Sequence, residues 1–387
     1  MKVLVLVAGG RAGSDLFHSL LDEHSQILQF PGILEINRNF LNLLNLKNYY
    51  EIPMRFIKLY PYFFNSKPRK YYDERHDSLG KNRKKFYKVN TNIFIKNFSK
   101  FIHKKKVLTK FDIIKYLHYA YFLSRKKKVK NKKIIFIHTH TANYTRNLID
   151  TVKWKNIKIV HTIRNPISSI NSAVKNYLRY KNGKTFFPKD LYFQFDIVFN
   201  GISNLLKMKK KVLIVQLEKL HDNRKRVMVD FCRIFNLKFE KCLMNSTFFG
   251  FKWWGDKTSN KLIDDSKRKK DLKIDKNLFY DRDIKFLEFL AVDIINYYNY
   301  KLIFNNITNF YFNLFPMKCE LLTWKNVLKH KRIKNFRLRY LSSWMWWRRN
   351  VISLCYHALS IPYFFLKRIF FINKFFLKYK YLPYSLG

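Results

Sequence analysis

The amino-acid sequence predicts an α/β fold in which helices flank a doubly wound, mainly parallel sheet. Four apolar runs have the composition of buried strands, at residues 3–8, 133–140, 157–163 and 211–216. Helical spacing of apolar residues follows the runs, and strands that alternate with helices form parallel sheets. The first and third runs break into polar turns that carry a cationic or hydroxyl side chain, which is how α/β proteins place anions at helix N-termini.

The predicted elements alternate along the chain. After the first strand, three leucines that begin at Leu16 share one face of a helix over residues 14–24, with Ser14 as the expected N-cap. A helix over residues 143–152 joins the second and third strands in a β-α-β unit, whose crossover makes these strands parallel. Amphipathic spacing predicts further helices over residues 224–235 and 281–300.

Two segments fall outside this alternation. Residues 37–131 alternate aromatic and basic side chains and are expected to form an irregular or helical insertion in a main domain that spans residues 1–310. Residues 324–387 are expected to form a helical extension rich in aromatic and basic residues. Lys367, Lys374 and Lys378 share a face there, as in a helix that lies on anionic lipid, although packing on the main domain would also explain the pattern.

The chain is strongly basic. Its 387 residues carry a formal net charge of +51, which is typical of proteins that bind nucleic acid or anionic membranes. Lys, Asn, Ile, Phe and Tyr are all heavily used, however, as they are when codon bias sets the composition. Charge alone therefore does not choose a function.

Cysteines and apolar runs indicate the compartment. The four cysteines are widely spaced, without a C-x-x-C pair or clustered histidines, so a reducing compartment and no metal site are expected. The apolar run at the N-terminus is too short for a signal peptide, and no run is long enough to span a bilayer. We expect a cytoplasmic protein whose extension can rest on the inner face of the membrane.

The turn after the first strand carries the first chemical motif, Gly9-Gly10-Arg11-Ala12-Gly13-Ser14. It lacks the Gly-Lys pair with which P-loop ATPases bind the outer phosphates, so a conventional ATP or GTP hydrolase is not expected. The turn after the third strand carries Arg164, Asn165 and Pro166, with Ser172 eight residues after the arginine. Together the two turns predict a ligand with two separated phosphates.

This ordered pair of motifs resembles the sulfotransferases that use 3′-phosphoadenosine 5′-phosphosulfate (PAPS). The resemblance implies a P-loop-like fold and a cradle for the 5′-phosphosulfate at Gly10, Arg11, Ala12, Gly13, Ser14 and Asp15. Asp15 departs from the hydroxylated residue of the family. A carboxylate beside a phosphosulfate is unfavourable, so its side chain is expected to point away while its backbone amide contributes.

By the same resemblance, Arg164 and Ser172 bind the 3′-phosphate, for which the planar fork of arginine suits two hydrogen bonds. A late segment at residues 247–257 is similar to the loop that closes over the nucleotide, which implies roles for Trp254 and Gly255. Ordinary packing of Trp254 is the alternative.

Two residues are candidates for the base that removes the proton of an acceptor. His140 closes the second predicted strand in a segment similar to the one that supplies histidine in cytosolic members of the family. Glu35 follows the first helix, where carbohydrate-directed members use a glutamate. A base needs a pKa near neutrality and hydrogen-bond reach of an alcohol. The two residues are rivals or partners.

The sequence thus predicts in-line transfer of a sulfuryl group from PAPS to a hydroxyl, with charge neutralisation by Arg11 and no metal. A glycan or lipid-linked sugar is the expected acceptor. The extension is expected to contact an anionic membrane surface, and no binding of nucleic acid is expected. The alternatives are a basic membrane-surface or nucleic-acid-binding protein on an α/β scaffold, and a kinase-like phosphotransferase with a degenerate P-loop.

Overall fold

A computed structural model describes most of the chain, namely residues 1–67, 79–103, 107–153, 156–179, 186–208, 211–255, 274–304 and 315–328, with 366 and 385–386. The chain divides into two compact units. The first comprises Met1–Arg164, Ile202–Lys269 and Pro383–Gly387, and the second comprises Asn165–Gly201 and Lys270–Leu382.

The first unit contains the sheet, and its architecture confirms the predicted α/β class. The strands are β1 (Lys2–Val7), β2 (Ile27–Gln29), β3 (Ile134–Thr139), β4 (Ile157–Ile163), β5 (Val212–Gln216), β6 (Thr247–Phe248), β7 (Phe251–Lys252) and β8 (Ser385–Leu386). The main sheet has the order β2-β3-β1-β4-β5-β8 and every pairing in it is parallel. β6 and β7 form a separate antiparallel hairpin.

The helices follow in chain order. They are α1 (Ser14–Leu20), α2 (Arg38–Leu44), α3 (Ile52–Leu59), α4 (Pro61–Phe64), α5 (Thr91–Ile102), α6 (Lys110–Ser124), α7 (Ala142–Val152), α8 (Pro166–Arg179), α9 (Pro188–Leu206), α10 (Leu217–Asp222), α11 (Arg224–Phe235), α12 (Asp281–Leu290), α13 (Val292–Tyr297) and α14 (Lys318–Leu328). Short 3-10 turns lie at Tyr49–Glu51 and Lys241–Met244.

Burial on both faces explains why the strands are continuous apolar runs. Residues 3–7 of β1 are at most 2% exposed, although successive side chains of a strand point to opposite faces. Leu4 and Leu6 pack in one cluster with residues of α1 and α11. In that cluster Phe17 and Phe231 meet edge to face, with ring centroids 5.4 Å apart.

The insertion at residues 37–131 is helical in its described part, from α2 to α6. Its aromatic residues form a core. The ring of Phe63 stacks on Phe30 at 4.9 Å and on Tyr60 at 5.2 Å, and the Tyr121 hydroxyl donates to the Phe63 carbonyl at 2.7 Å. The aromatic half of the alternating pattern therefore builds a hydrophobic core against β2.

Two predicted helices differ in extent from the structure. Gly13, in the left-handed conformation, occupies the N-cap position of α1, so the prediction of Ser14 as N-cap was wrong and Ser14 is the first helical residue. α1 ends at Leu20 rather than at residue 24. The predicted helix over residues 281–300 is two helices, because Ala291 leaves the helical conformation with φ −104° and ψ 6°.

The second unit is held by capped helices and buried carboxylates. The side chain of Asn165 accepts hydrogen bonds from Ile167 N at 3.0 Å and Ser168 N at 3.2 Å, which fixes the start of α8. Glu320 accepts from the Tyr192 hydroxyl at 3.0 Å. Glu288 accepts from the amides of residues 303 and 304, and burial raises the pKa of its carboxyl group.

Most of the predicted C-terminal extension lies outside the described residues, including Lys367, Lys374 and Lys378. Residues 324–328 end α14, Leu366 is helical, and Ser385–Leu386 form β8 rather than helix, because they extend the sheet beside β5. Within the described part of the chain, the helices are too short or too polar to cross a bilayer.

Candidate functional site

The turn between β1 and α1, residues 8–13, is here called the glycine loop. Gly10, Arg11 and Gly13 all have left-handed backbones, with φ of 59°, 56° and 80°. Glycine adopts this conformation freely, whereas for arginine it costs about 1–2 kcal/mol. A strained non-glycine residue persists only where its surroundings enforce it, and such residues concentrate at ligand sites.

The glycine loop lies in close contact with neighbouring strands and with α10. A Cβ on Gly9 would lie 1.7 Å from the Thr162 carbonyl oxygen of β4, and a Cβ on Gly13 would lie 2.3 Å from Leu217 Cδ1. Ala8 N donates to the Thr139 carbonyl of β3 at 3.2 Å. The glycine loop is therefore wedged between the ends of β3 and β4, which explains why glycine is needed at these positions.

Parallel strands end at one edge of a sheet, here called the carboxyl edge, and the candidate residues leave from it. His140 follows β3, the glycine loop follows β1, and Arg164 follows β4. Because these three strands are adjacent and parallel, the structure brings the two predicted phosphate turns to the same edge. Ligands of open α/β sheets bind at this edge, near the strand where the order reverses.

Glu35 reaches the same edge through its neighbour. Leu34 N donates to the carbonyl of His138 at 2.8 Å, which fixes the segment after β2 against the end of β3. Glu35 and His140 therefore stand one and two residues from that hydrogen bond, and both are exposed. The Tyr60 hydroxyl donates to the Glu35 carbonyl at 2.6 Å, and burial raises the pKa of this phenol well above its usual value.

A buried histidine pair lies between α1 and β3 and was not predicted. His18 Nε2 donates to the Phe30 carbonyl at 3.0 Å, and His18 Nδ1 shares a hydrogen bond with His138 Nδ1 at 3.1 Å. Asp15 Oδ1 is 3.8 Å from His138 Nδ1. The Asp15 carboxylate thus faces an imidazole, which offers an electrostatic reason for an acidic residue beside the glycine loop.

The sequence held one signal for this arrangement. Asp15 and His18 are three residues apart and so share a helix face, which directs both side chains to the same neighbour. The partner on β3 could be identified only from the strand register, in which His138 lies beside Leu6 of β1.

Trp254 follows the β6–β7 hairpin, which is anchored to the C-terminal end of α1. The buried carboxylate of Asp22 accepts from Gly250 N at 2.7 Å and from the Thr247 hydroxyl at 3.0 Å, and burial raises its pKa. Ser19 and Ser246 share a hydrogen bond of 2.6 Å. One short helix therefore joins the glycine loop to this hairpin.

The contacts of Trp254 run to the insertion. Its Nε1 donates to the Gly80 carbonyl at 2.7 Å, and the guanidinium of Arg83 lies 4.5 Å from its ring centroid. Gly255 has φ of 96°, a conformation that favours glycine. The nucleotide-binding roles of these two residues stay predictions.

Ser172 lies half-buried on α8, which belongs to the second compact unit, whereas Arg164 ends the first. Their joint action on one phosphate stays a prediction. Among the described residues, no group of three or more His, Cys, Asp or Glu side chains is placed to hold a metal ion. The described cysteines Cys232, Cys242 and Cys319 are free thiols.

Sulfotransferase domains are among the solved structures that are similar to this chain. No family model matches the chain, and no curated protein matches it. The sulfotransferase domain of the Synechococcus PCC 7002 olefin synthase is 13% identical, with a TM-score of 0.34 over 63% of this chain and 76% of that domain. The sulfotransferase domain from the curacin biosynthetic pathway is 14% identical, with a TM-score of 0.36 over 63% of this chain and 77% of that domain.

Proposed function

We propose that the chain transfers a sulfuryl group from PAPS to the hydroxyl group of a carbohydrate or glycolipid. The observation that carries this proposal is the position of Arg164 and the glycine loop at the carboxyl edge of the adjacent strands β1 and β4. A ligand with two separated anionic groups needs two cationic or amide-rich sites at one edge. These two turns supply them.

Each turn has a distinct role in the proposal. Arg11 and the amides at the start of α1 neutralise the 5′-phosphosulfate, because helix N-termini and left-handed turns favour anions. Arg164 binds the 3′-phosphate with its planar fork, assisted by Ser172. The S–O bond to the donor phosphate breaks as the acceptor oxygen bonds to sulfur, and adenosine 3′,5′-bisphosphate leaves.

A base at the same edge takes the acceptor proton. His140 and Glu35 are both exposed and stand beside one hydrogen bond between the segment after β2 and the end of β3. Exposure gives an acceptor access to both. Catalysis in this proposal consists of orientation, charge neutralisation and proton removal, for which no metal is required.

The proposal extends to the surroundings of the protein. We propose a cytoplasmic location in which residues 324–387 contact an anionic membrane, since Lys367, Lys374 and Lys378 recur at helical spacing among aromatic residues. Sedimentation with phosphatidylserine vesicles tests this, with the three lysines replaced by glutamine in the control chain. Equal sedimentation of both chains would contradict lipid contact through these lysines.

Calorimetry with adenosine 3′,5′-bisphosphate and with magnesium-ATP tests the nucleotide. We expect magnesium-independent binding of the bisphosphate. Arg164→Ala should weaken it by about tenfold to a hundredfold, because a charge-assisted bidentate contact is lost, and should weaken adenosine 5′-phosphosulfate much less. Arg226→Ala, on an exposed arginine of α11, is the matched control.

Preference for magnesium-ATP, or equal weakening of both ligands by Arg164→Ala, would contradict the proposal. Turnover with labelled PAPS and a panel of glycans and glycolipids then identifies the acceptor. The same assay with His140→Gln and Glu35→Gln identifies the base as the residue whose loss lowers kcat more. Absence of turnover with every acceptor, despite tight bisphosphate binding, would contradict the carbohydrate assignment.

A further inference from the structure

A cavity of about 500 Å³ lies at the edge where the parallel strands begin, here called the amino edge. Its lining includes Lys2 at the start of β1, and Lys132 and Lys133 directly before β3. β1 has six residues and a strand rises about 3.3 Å per residue, so roughly 20 Å of sheet separates this cavity from the glycine loop. The cavity is thus a separate place in the molecule.

Positive charge dominates the lining. Lys115 of α6 joins these three lysines, and among the residues that the structure describes the lining contains no carboxylate. Backbone carbonyls hold two of the ammonium groups. Lys132 Nζ donates to Ile27 O at 2.8 Å and to His24 O at 3.0 Å, and Lys133 Nζ donates to Asn236 O at 3.0 Å. These bonds order the lysines without neutralising them.

Two carboxylates outside the lining act on Lys132, but both have other partners. Glu23 pairs with Arg125 and Lys127, and Glu240 accepts from the amide and hydroxyl of Ser25. Burial lowers the pKa of Lys132 to about 8 despite their attraction. An excess of positive charge therefore remains at the cavity.

The positive field continues along the amino edge. The pKa of Lys158, in β4, is lowered by burial and then by the nearby charges of Lys2 and Lys211. Like charges this close destabilise one another unless an anion neutralises them. Lysines that had only water as a partner would repel one another less if they lay farther apart.

Aromatic side chains complete the walls. Tyr119 and Phe235 belong to the lining. Lys115 Nζ lies 5.4 Å from the Tyr119 ring centroid, and Lys158 Nζ lies 5.3 Å from that of Phe235. Flat apolar surface beside ordered cations suits a ligand that joins a ring to anionic groups.

We infer that this cavity binds a small organic polyanion, a phosphate or sulfate ester that carries a sugar or base ring. Its volume falls within the range of small-molecule sites, about 300–1,000 Å³. The inference does not rest on the proposed sulfotransfer, because the cavity and the glycine loop lie at opposite edges of the sheet.

Calorimetry on the full chain tests the inference. Fructose 1,6-bisphosphate, guanosine 5′-diphosphate and inorganic pyrophosphate are titrated separately into the chain and into its Arg164→Ala variant, in which the proposed nucleotide site is impaired. We expect saturable binding of one ring-bearing probe, the sugar or the nucleotide, and weaker binding of pyrophosphate. The double variant Lys2→Gln/Lys133→Gln should lose about tenfold or more in affinity.

Lys225→Gln/Lys241→Gln, at exposed lysines outside the cavity, removes the same charge and is the matched control. Acetylation followed by mass spectrometry gives a readout that needs no substitution. The bound probe should protect Lys132 and Lys133 from acetylation but leave Lys225 and Lys241 reactive. This readout is valid whether or not the bisphosphate binds at the glycine loop.

Equal losses in the two double variants would overturn the inference, because they would show that net charge alone attracts the probe. Non-saturable binding or uniform protection of all lysines would have the same meaning. Pyrophosphate that binds as tightly as both ring-bearing probes would overturn the role of Tyr119 and Phe235, and with it the inference as stated.

Discussion

The two edges of the sheet offer positive charge to a ligand in different ways. At the carboxyl edge, left-handed residues fix the glycine loop, and two arginines, Arg11 and Arg164, belong to the proposed site. At the amino edge, four lysines line one cavity. Backbone geometry selects the shape of an anion, whereas a field of lysines selects mainly its charge. We therefore expect strict discrimination among anions at the first edge, and at the second a preference only for a ring beside the anionic groups, which Tyr119 and Phe235 would contact.

Gly9→Ala should separate the behaviour of the two edges most strongly. The added Cβ would lie 1.7 Å from the backbone oxygen of Thr162, which cannot move without disturbing β4. We expect the free energy of unfolding to fall by about 3 kcal/mol and bisphosphate binding to be lost, whereas polyanion binding at the amino edge should persist in the folded fraction. Urea unfolding and calorimetry measure the two effects.

Gly250→Ala is the control for this substitution. There the nearest atom would be 3.6 Å from the new Cβ, so only the left-handed backbone, with φ of 75°, is unfavourable. A cost of about 1 kcal/mol is expected. If both variants lost the same free energy, the close approach of Gly9 to β4 would not be the cause.

Acid should lower the free energy of unfolding through a buried histidine near the carboxyl edge. His161 of β4 is buried with Nδ1 3.2 Å from the Val7 carbonyl, and burial lowers its pKa to about 4. Because the unfolded histidine titrates near 6.5, the unfolded chain binds more protons as pH falls from about 6.5 to 4, so stability present above pH 6.5 is lost. We expect His161 alone to account for a loss of about 3 kcal/mol at pH 4. Urea unfolding across pH should therefore show a smaller total loss in His161→Gln.

His118 contributes to the same acid loss, since burial also lowers its pKa to about 4. The slope that remains in His161→Gln belongs in part to this residue. At the amino edge the effect of pH is the opposite, because Lys132 loses its charge as pH rises through about 8. Affinity for the polyanion should fall there. An unchanged affinity between pH 7 and 9 would contradict a role for Lys132.

Arg11→Gly separates strain from charge at the glycine loop. Glycine relieves the left-handed conformation at φ of 56°, so the free energy of unfolding should rise by up to about 1 kcal/mol. Affinity for the bisphosphate should fall about tenfold, because a cation is removed. Stability measured by urea and affinity measured by calorimetry should thus move in opposite directions. Parallel losses would mean that Arg11 supports the fold.

The sheet was predictable to the extent that its strands are buried on both faces. β4 and α11 have the predicted bounds, and β3 and β5 differ from the predicted bounds by only one residue at their ends. β2 has three residues and β6 two, too few for a periodic pattern, so they depend on partners brought together by the fold. Short elements of this kind cannot be predicted from local sequence.

The sequence of the insertion contains local signals for the starts of two helices. Asn90 caps α5, and Thr109 with Asp112 forms a capping box at the start of α6. Both are polar residues placed directly before apolar helical spacing, which predicts helix N-termini. The many lysine and aromatic residues around these positions make the two helix starts difficult to recognise in the sequence.

At the candidate site, the order of the two motifs along the chain predicted that both follow strands ending at the carboxyl edge. It did not predict which residues surround them. The left-handed backbone of Arg11 and the close approach of its neighbours Gly9 and Gly13 to β4 and α10 are not shown by sequence spacing. The pairing of His18 with His138 depends on strand register across 120 residues. The position of Ser172 in a second compact unit was likewise beyond the motif.

The brevity of α1 has a mechanical consequence. Seven residues make a rod of about 10 Å, far below the length at which a helix is stable alone. The orientation of α1 therefore depends on contacts with other elements. These are the close contacts of the glycine loop at its start and the hydrogen bond from Gly250 N to Asp22 just after its end. Loss of either set of contacts should change the orientation of α1 and weaken the other set. Ligand binding at the glycine loop and the position of the β6–β7 hairpin should therefore be thermodynamically linked.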